Sequence, residues 1–312
     1  MKPILLFILI DFLKIKVEDP LIINSLFNHT LLYYHSNTEV LLSDKETIIS
    51  KEKKQYKGIV FEFAYDLLYI SFKPHYYFND NKHNANDFDV YDCVNVLKEF
   101  SVMFGVDPFK LIVINIEFGV NIILPKNLIN VRDFLACLLY HGKNEFYTDR
   151  KYLDCRFSHS MNSRGIANTY KMIKCYAKGI QFPEYTDINT LRFEVKSNRR
   201  NYIKSLGIDN LSSLLELKTY DTLSGVILKE FDELLLIDEK AKPQLSKVKY
   251  SNFQKKLNPL YWRKLLMSEN RNAFRLNFNK YHKCLNTNDS HLKKDVKELV
   301  SSKLNKLKAL QF

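Results

Sequence analysis

A tyrosine with a lysine two residues to either side, Lys174, Tyr176 and Lys178 in YKMIKCYAKGIQF, is the pattern in this chain best suited to chemistry. In a strand, period-two alternation sets these three on one face and Ile173, Cys175 and Ala177 on the other. A phenol is a weak nucleophile at its ordinary pKa of about 10; flanking cations favour the phenolate and neutralise a phosphate under attack. Two more segments read in the same way. In IVINIEFGVNI, the residues Ile112, Ile114, Ile116, Phe118, Val120 and Ile122 form an apolar face, which turns Asn115, Glu117 and Asn121 the opposite way. In TLRFEVK, Arg192, Glu194 and Lys196 point away from Leu191, Phe193 and Val195. If the three strands share a sheet, its polar face holds a phenol, carboxylates and cations, the equipment for cutting and rejoining a phosphodiester. Glu117, together with Asp11 or a histidine such as His83, would hold one divalent ion, and oxygen-rich donors select Mg2+ or Mn2+ over zinc. Glu194 is either a further ligand or an orienting partner for Arg192 and Lys196. The same residues also suit an ordinary half-buried strand with a cross-strand ion-pair ladder, a reading that leaves Tyr176 without a role.

The elements that must position these groups follow from periodicity and punctuation. A first strand over 8–17 places Asp11 in register with Leu9, Leu13 and Ile15, a carboxylate among apolar neighbours that needs a partner. Strands over 58–65 and 67–72 lead into a polar, aromatic loop, 74–86, flanked by His75 and His83. Asn86 or Asp87 caps a helix that ends at Gly105; a second helix runs over 131–141 to Gly142. Short helices over 211–217 and 224–235 close the body. Strand and helix alternate in both halves, which predicts an α+β fold: an antiparallel sheet with flanking helices in a two-halved catalytic domain, residues 1–243. Beyond Pro243 the pattern is wholly helical. Asn258 and Pro259 start a helix through Tyr261, Trp262 and Leu265, and an amphipathic helix over 289–310 sets Leu292, Val296, Leu299, Val300, Leu304 and Leu307 against a lysine face.

With 312 residues, 46% of them hydrophobic, the chain is long enough for a large core. Its formal charge of +12 is confined: residues 241–312 hold 17 of the 47 basic residues and only 4 of the 35 acidic ones, so the rest of the chain is nearly neutral. A neutral body with a basic appendage suggests a separate polyanion-binding module over 244–312, with Arg263, Lys264, Arg271 and Arg275 as DNA contacts. A merely solubilising surface has the same composition. Five cysteines without close pairs indicate neither a disulfide framework nor structural zinc and fit a reducing cytoplasm. The apolar run from Ile4 to Ile10 is too short to span a bilayer and is cut by Asp11, so it reads as part of a buried first strand, with no membrane partner. No His-x-His pair occurs, which removes the two-histidine metal site common among nicking enzymes.

The motifs IDFLKIKV, HYYFNDNKHNANDF, IEFGVNI, YKMIKCYAKGIQF and LRFEVK, followed by YIKSLGIDNLSSLL, stand in the order seen in one family. Over 10–243 the chain resembles the rolling-circle replication initiators of single-stranded-DNA phages and small plasmids, including that of the filamentous phages; NPLYWRKLL fits the group loosely. The resemblance implies a tyrosine endonuclease that nicks one strand of single-stranded or origin duplex DNA, keeps the 5′ end as a phosphotyrosine, leaves a 3′-hydroxyl for a polymerase, and later rejoins the strand. A host helicase and polymerase would be its partners. On this likeness Tyr176 is the nucleophile, and Glu117 and Glu194 match the family's carboxylates; Lys174 and Lys178 are its expected assisting cations, and Arg192, Lys196 and His75 are expected to contact DNA. Two departures stand out: Tyr176-Ala177-Lys178 replaces the family's Tyr-Asp-Lys, and Phe72-Lys73-Pro74-His75 replaces its Gly-Ser-x-His turn. The alternative is a non-catalytic DNA-binding replication regulator with a degenerate site.

Overall fold

The computed structural model describes residues 9–41, 48–268 and 270–305. Most of the Ile4–Ile10 run, and Lys306, Leu307 and Lys308, lie outside the described residues. Among the described residues twelve strands form one sheet, with every adjacent pair antiparallel: β1 Leu9–Val17, β2 Tyr33–Leu41, β3 Ile48–Tyr56, β4 Ile59–Ala64, β5 Leu67–Phe72, β6 Ile112–Ile123, β7 Leu138–His141, β8 Asn144–Thr148, β9 Cys155–Met161, β10 Ala167–Ala177, β11 Thr190–Ser197 and β12 Leu234–Leu236. Their spatial order is β12-β7-β8-β9-β10-β11-β6-β1-β5-β4-β3-β2. The fold is α+β, and the three segments singled out for chemistry are neighbours at its centre, β10-β11-β6, with β1 alongside.

Helices cover one face of the sheet. Val90–Met103 lays Phe100 on Phe61 and Phe72, and Leu217–Asp232 sets Phe231 against Phe193, with ring centroids 5.4 Å apart. Ile173, Cys175, Ala177, Leu191, Phe193 and Val195 are buried on that side, so the residues that alternate with them look to the other face. That other face carries the site.

Simple parity fails in β1 and β6. A register shift between Ile10 and Phe12 inserts Asp11 as an extra residue, so Ile10 and Leu13 both enter the core while Asp11 turns to the polar face. A second shift, between Lys14 and Ile15, brings Val113 into the core instead of Ile112 and Ile114, which stay half-buried. Other expectations change for equally local reasons. The helix after Asn130 ends at Cys137, because Leu138–His141 pairs with β8 across a turn in which Gly142 adopts φ 57°. The helix expected at 224 starts at Leu217, and its expected end, 234–236, is strand β12. Strands β2 and β3 go unrecognised in the sequence because they form the outer edge of the sheet, where charged residues such as Lys51, Glu52 and Lys53 leave no clear apolar alternation.

Past Pro243 the described chain is helical: Lys247–Lys256, Pro259–Leu266, Ala273–Leu285 and Leu292–Asn305. The Asn258 side chain accepts from Leu260 N at 2.9 Å, the cap expected of an Asn-Pro start. Trp262, Phe274 and Tyr281 build a second core with Phe253 and Leu235. The last helix leaves that core and rejoins the first one through Leu292, Val296, Val300 and Leu304. Its lysines hold it there: Lys297 pairs with Asp232 at 2.6 Å and Lys303 with Asp87 at 2.7 Å.

Candidate active site

Strand pairing places the reactive groups in rows. Tyr176 lies opposite Arg192, and Lys174 opposite Glu194, between β10 and β11; Lys196 lies opposite Glu117 between β11 and β6. The Tyr176 hydroxyl donates to Glu194 Oε2 at 3.1 Å. Lys174 Nζ sits between the two glutamates, 3.2 Å from Glu194 Oε1 and 3.5 Å from Glu117 Oε2, and Lys196 pairs with Glu117 Oε1. Opposite Glu194 stands Gly119, where a Cβ would come within 2.4 Å of Phe193 O; only glycine lets β6 approach this closely. Tyr176, Lys174, Glu194, Glu117 and Lys196 line an open cleft of about 620 Å³.

Lys178 reaches the cleft by another route than the strand face. The strand ends at Ala177, and Lys178 opens a single turn, Lys178–Gln181, that folds its side chain under Tyr176. Its ammonium donates to Asn84 Oδ1 and, at 3.1 Å, to Gln181 Oε1, and lies 5.3 Å from the Tyr176 ring centroid. Gly179 makes the tuck possible, since a Cβ there would sit 1.9 Å from Asp187 O. Ala177 itself faces the core.

Beneath the cleft lies a buried floor. Arg192 is fully buried; it pairs with Asp11, sits 3.4 Å from Glu194 Oε2 and donates to Asn84 O and Asn121 Oδ1, each at 3.3 Å. His75 is also fully buried, stacked on Phe88 at 4.8 Å, with Nε2 2.8 Å from Asn86 Oδ1 and Nδ1 3.7 Å from Asp11 Oδ1. Neither can touch DNA from these positions, contrary to the expectation for both; they hold Asp11, and through it the floor. His83 stacks on Tyr185 at 3.6 Å, apart from Glu117 and Glu194 in the lining of the cleft. Lys196 lines the cleft, paired with Glu117. In the basic module Arg263, Lys264, Arg271 and Arg275 are exposed, the last pairing with Glu233 at 2.6 Å, whereas Trp262 is fully buried and offers no stacking surface.

The electrostatics follow from burial and pairing. Burial, opposed by Lys174 and reinforced by Glu117 and Asp11, raises Glu194 to about 7. At Glu117 burial also acts upward, but Lys174 and Lys196 outweigh it and hold the group below its ordinary value. Burial and then Arg192 bring Lys178 down to about 7. Burial and the Glu194 charge push Tyr176 well above 10, so at neutral pH the phenol is protonated and donates to Glu194.

A divalent ion does not fit this donor set. Among the described residues no group of three His, Cys, Asp or Glu side chains is placed to hold a metal ion. Asp11 is taken by Arg192 and Asn84, and Lys174 already stands between Glu117 and Glu194. Four cations already face three carboxylates here, a balance that opposes a further cation. Reading the sequence overlooked Asn84, which joins Asp11 to Lys178, and Tyr152, whose hydroxyl donates to Ala177 O at 2.7 Å. Asn84 lies within HYYFNDNKHNANDF, yet one amide in an asparagine-rich loop carries no periodic signal.

No family model matches the sequence, and no curated protein does. Among solved structures, the rolling circle replication initiator protein from Geobacillus stearothermophilus aligns with a TM-score of 0.40 and 10% identity, over 81% of this chain and 97% of that one. At that score the likeness decides neither fold nor function.

Proposed function

We propose that the protein is a DNA nicking and joining enzyme that works through a phosphotyrosine, in the role of a rolling-circle replication initiator. The observation that carries this reading is the 3.1 Å hydrogen bond from the Tyr176 phenol to Glu194, inside a cleft whose other charged groups are mainly lysines. The resemblance of the motifs, in content and order, supports the same conclusion.

Glu194 Oε2 accepts the proton as Tyr176 Oη attacks phosphorus, forming the Oη–P bond. The bond from phosphorus to the 3′ oxygen breaks, and the Lys178 ammonium, poised near neutrality, gives that oxygen a proton. The products are a 5′-phosphotyrosine and a free 3′-hydroxyl. Lys174 and Lys196 neutralise the phosphoryl oxygens as charge builds on them. Attack by another 3′-hydroxyl runs the steps in reverse and rejoins a strand. No step passes through a metal ion. The exposed cations beyond Pro243, Arg263 and Lys264 on a helix and Arg271 in the turn after it, are assigned to sequence-independent contact with origin DNA.

The test is adduct formation. Incubated with a labelled single-stranded oligonucleotide containing its origin sequence, the protein should form an adduct that survives denaturing gel electrophoresis, and Tyr176→Phe should abolish it. Full adduct formation by Tyr176→Phe would show that the nucleophile is another residue.

A further inference from the structure

The face of the sheet that holds Tyr176 continues, away from the floor, into three aromatic rings that no core requires. In the pairing of β10 with β9, Tyr176 lies opposite Cys155, Lys174 opposite Phe157 and Met172 opposite His159; in the pairing of β9 with β8, Phe157 lies opposite Tyr147. Directly opposed residues in an antiparallel pair share a face, so Tyr147, Phe157 and His159 stand beside Lys174 and the phenol. Ring centroids are 6.0 Å apart for Tyr147 and Phe157 and 5.5 Å for Phe157 and His159, with the latter planes inclined by 22°. Tyr147 is 38% exposed and Phe157 half-buried, while His159 is buried behind them; neither Tyr147 nor Phe157 belongs to either hydrophobic core. The loop joining β8 to β9 carries exposed Arg150 and Lys151 and sends Asp149 and Tyr152 into the wall of the cleft.

We infer that Tyr147 and Phe157, backed by His159, form a stacking shelf for bases of single-stranded DNA adjoining the phosphate attacked by Tyr176. An exposed aromatic surface bordered by cations and continuous with a cationic cleft is what an unpaired strand recognises: the bases cover the rings while the phosphates follow the lysines. Lys174, opposite Phe157 and beside Tyr176, joins the two surfaces. Arg150 and Lys151, in the loop at the cleft end of β8 and β9, take the backbone between the shelf and the cleft. The bases of a duplex are already stacked on one another and cannot use it. This inference rests on the nicking reading for the identity of the strand, but the shelf is tested by binding alone.

Affinity for a fluorescent single-stranded oligonucleotide and for the duplex of the same sequence is measured by anisotropy at fixed salt, on the full chain. Stacking on an aromatic ring is worth enough that Tyr147→Ala and Phe157→Ala should each weaken single-strand binding about tenfold, and the double variant by about a hundredfold, with duplex binding unchanged. Tyr147→Phe and Phe157→Tyr, which keep the rings, should retain affinity. An oligonucleotide carrying iododeoxyuridine should photocrosslink to Tyr147 or Phe157, read by peptide mass spectrometry on the unaltered protein. Unchanged single-strand affinity in the double variant, an equal loss for single strand and duplex, or crosslinks confined to other segments would each overturn the shelf. A protein that binds and crosslinks as described yet never forms the covalent adduct keeps the shelf and loses the nicking proposal.

Discussion

Two buried lysines in different regions carry the same perturbation and do different work. Lys178, under the cleft, and Lys293, on the last helix, are both brought to about 7 by burial. Lys293 donates to Asp232 O and Leu234 O at 2.7 and 2.6 Å, closing the end of the Leu217–Asp232 helix, and faces His282 Nε2 at 3.2 Å. Its ammonium satisfies carbonyls that would otherwise be stranded. Lys178 is held by two side-chain amides, under a phenol, at the wall of an open cleft. A shifted pKa therefore does not by itself identify a reactive group; what surrounds the ammonium does.

The largest effect that tests this contrast is expected at the base. Glu194→Gln keeps the shape of the Tyr176 contact but cannot take its proton, and should slow adduct formation on single-stranded oligonucleotides by about 10²- to 10⁴-fold, measured as single-turnover rates. Next come the two lysines exchanged for methionine. Lys178→Met should lower the joining rate by about a hundredfold, a loss beyond what any drop in melting temperature from leaving Asn84 Oδ1 without its donor would explain. Lys293→Met should leave both rates intact and destabilise the fold by about 1–3 kcal/mol, because two buried carbonyls lose their donor. If both variants lose activity alike, the distinction between them fails.

The pH profile sharpens the same comparison. Nicking needs Glu194 deprotonated, so the rate should rise as pH passes upward through about 7; it needs Lys178 protonated, so the rate should fall as pH climbs beyond about 7. The result is a narrow bell near neutrality. Lys178→Met should remove the alkaline limb only, and Lys293→Met should leave the bell unmoved, as stopped-time assays across a buffer series would report. A divalent ion gives a further measurement. Because Lys174 occupies the space between Glu117 and Glu194, chelation with EDTA should spare adduct formation by the unaltered protein, whereas Lys174→Met should bind Mn2+ and respond to it. Mn2+ binding by the unaltered protein, seen by electron paramagnetic resonance and lost in Glu117→Gln, would return the carboxylates to a ligand role.

The smallest effects belong to the basic helices. Replacing Arg263, Lys264 and Arg271 by alanine should reduce the salt dependence of duplex binding by up to about three counterions and leave cleavage of short single strands untouched. Removing all of 244–312 is a poorer experiment. It would also strip Val296, Val300 and Leu304 from the main core, so lost activity would report unfolding.

Much of the site was legible in the sequence because strand alternation is a local property. Lys174 and Tyr176 share a face with Glu194 and Lys196, and Glu117 joins them, because every second side chain of a strand points the same way whatever lies around it. Local signals likewise announced the Asn258 cap and the helical run beyond Pro243. Other features have no local origin. The bulge that turns Asp11 out of the core exists only because β1 must match β6, and the burial of Arg192 and His75 follows from what closes over them. Lys178 leaves its strand because Gly179 lets the chain pack against 187–188. The tertiary structure alone decided which carboxylate accepts the phenol's hydrogen bond and which cations are sealed beneath the cleft, since both depend on strands far apart in the chain becoming neighbours.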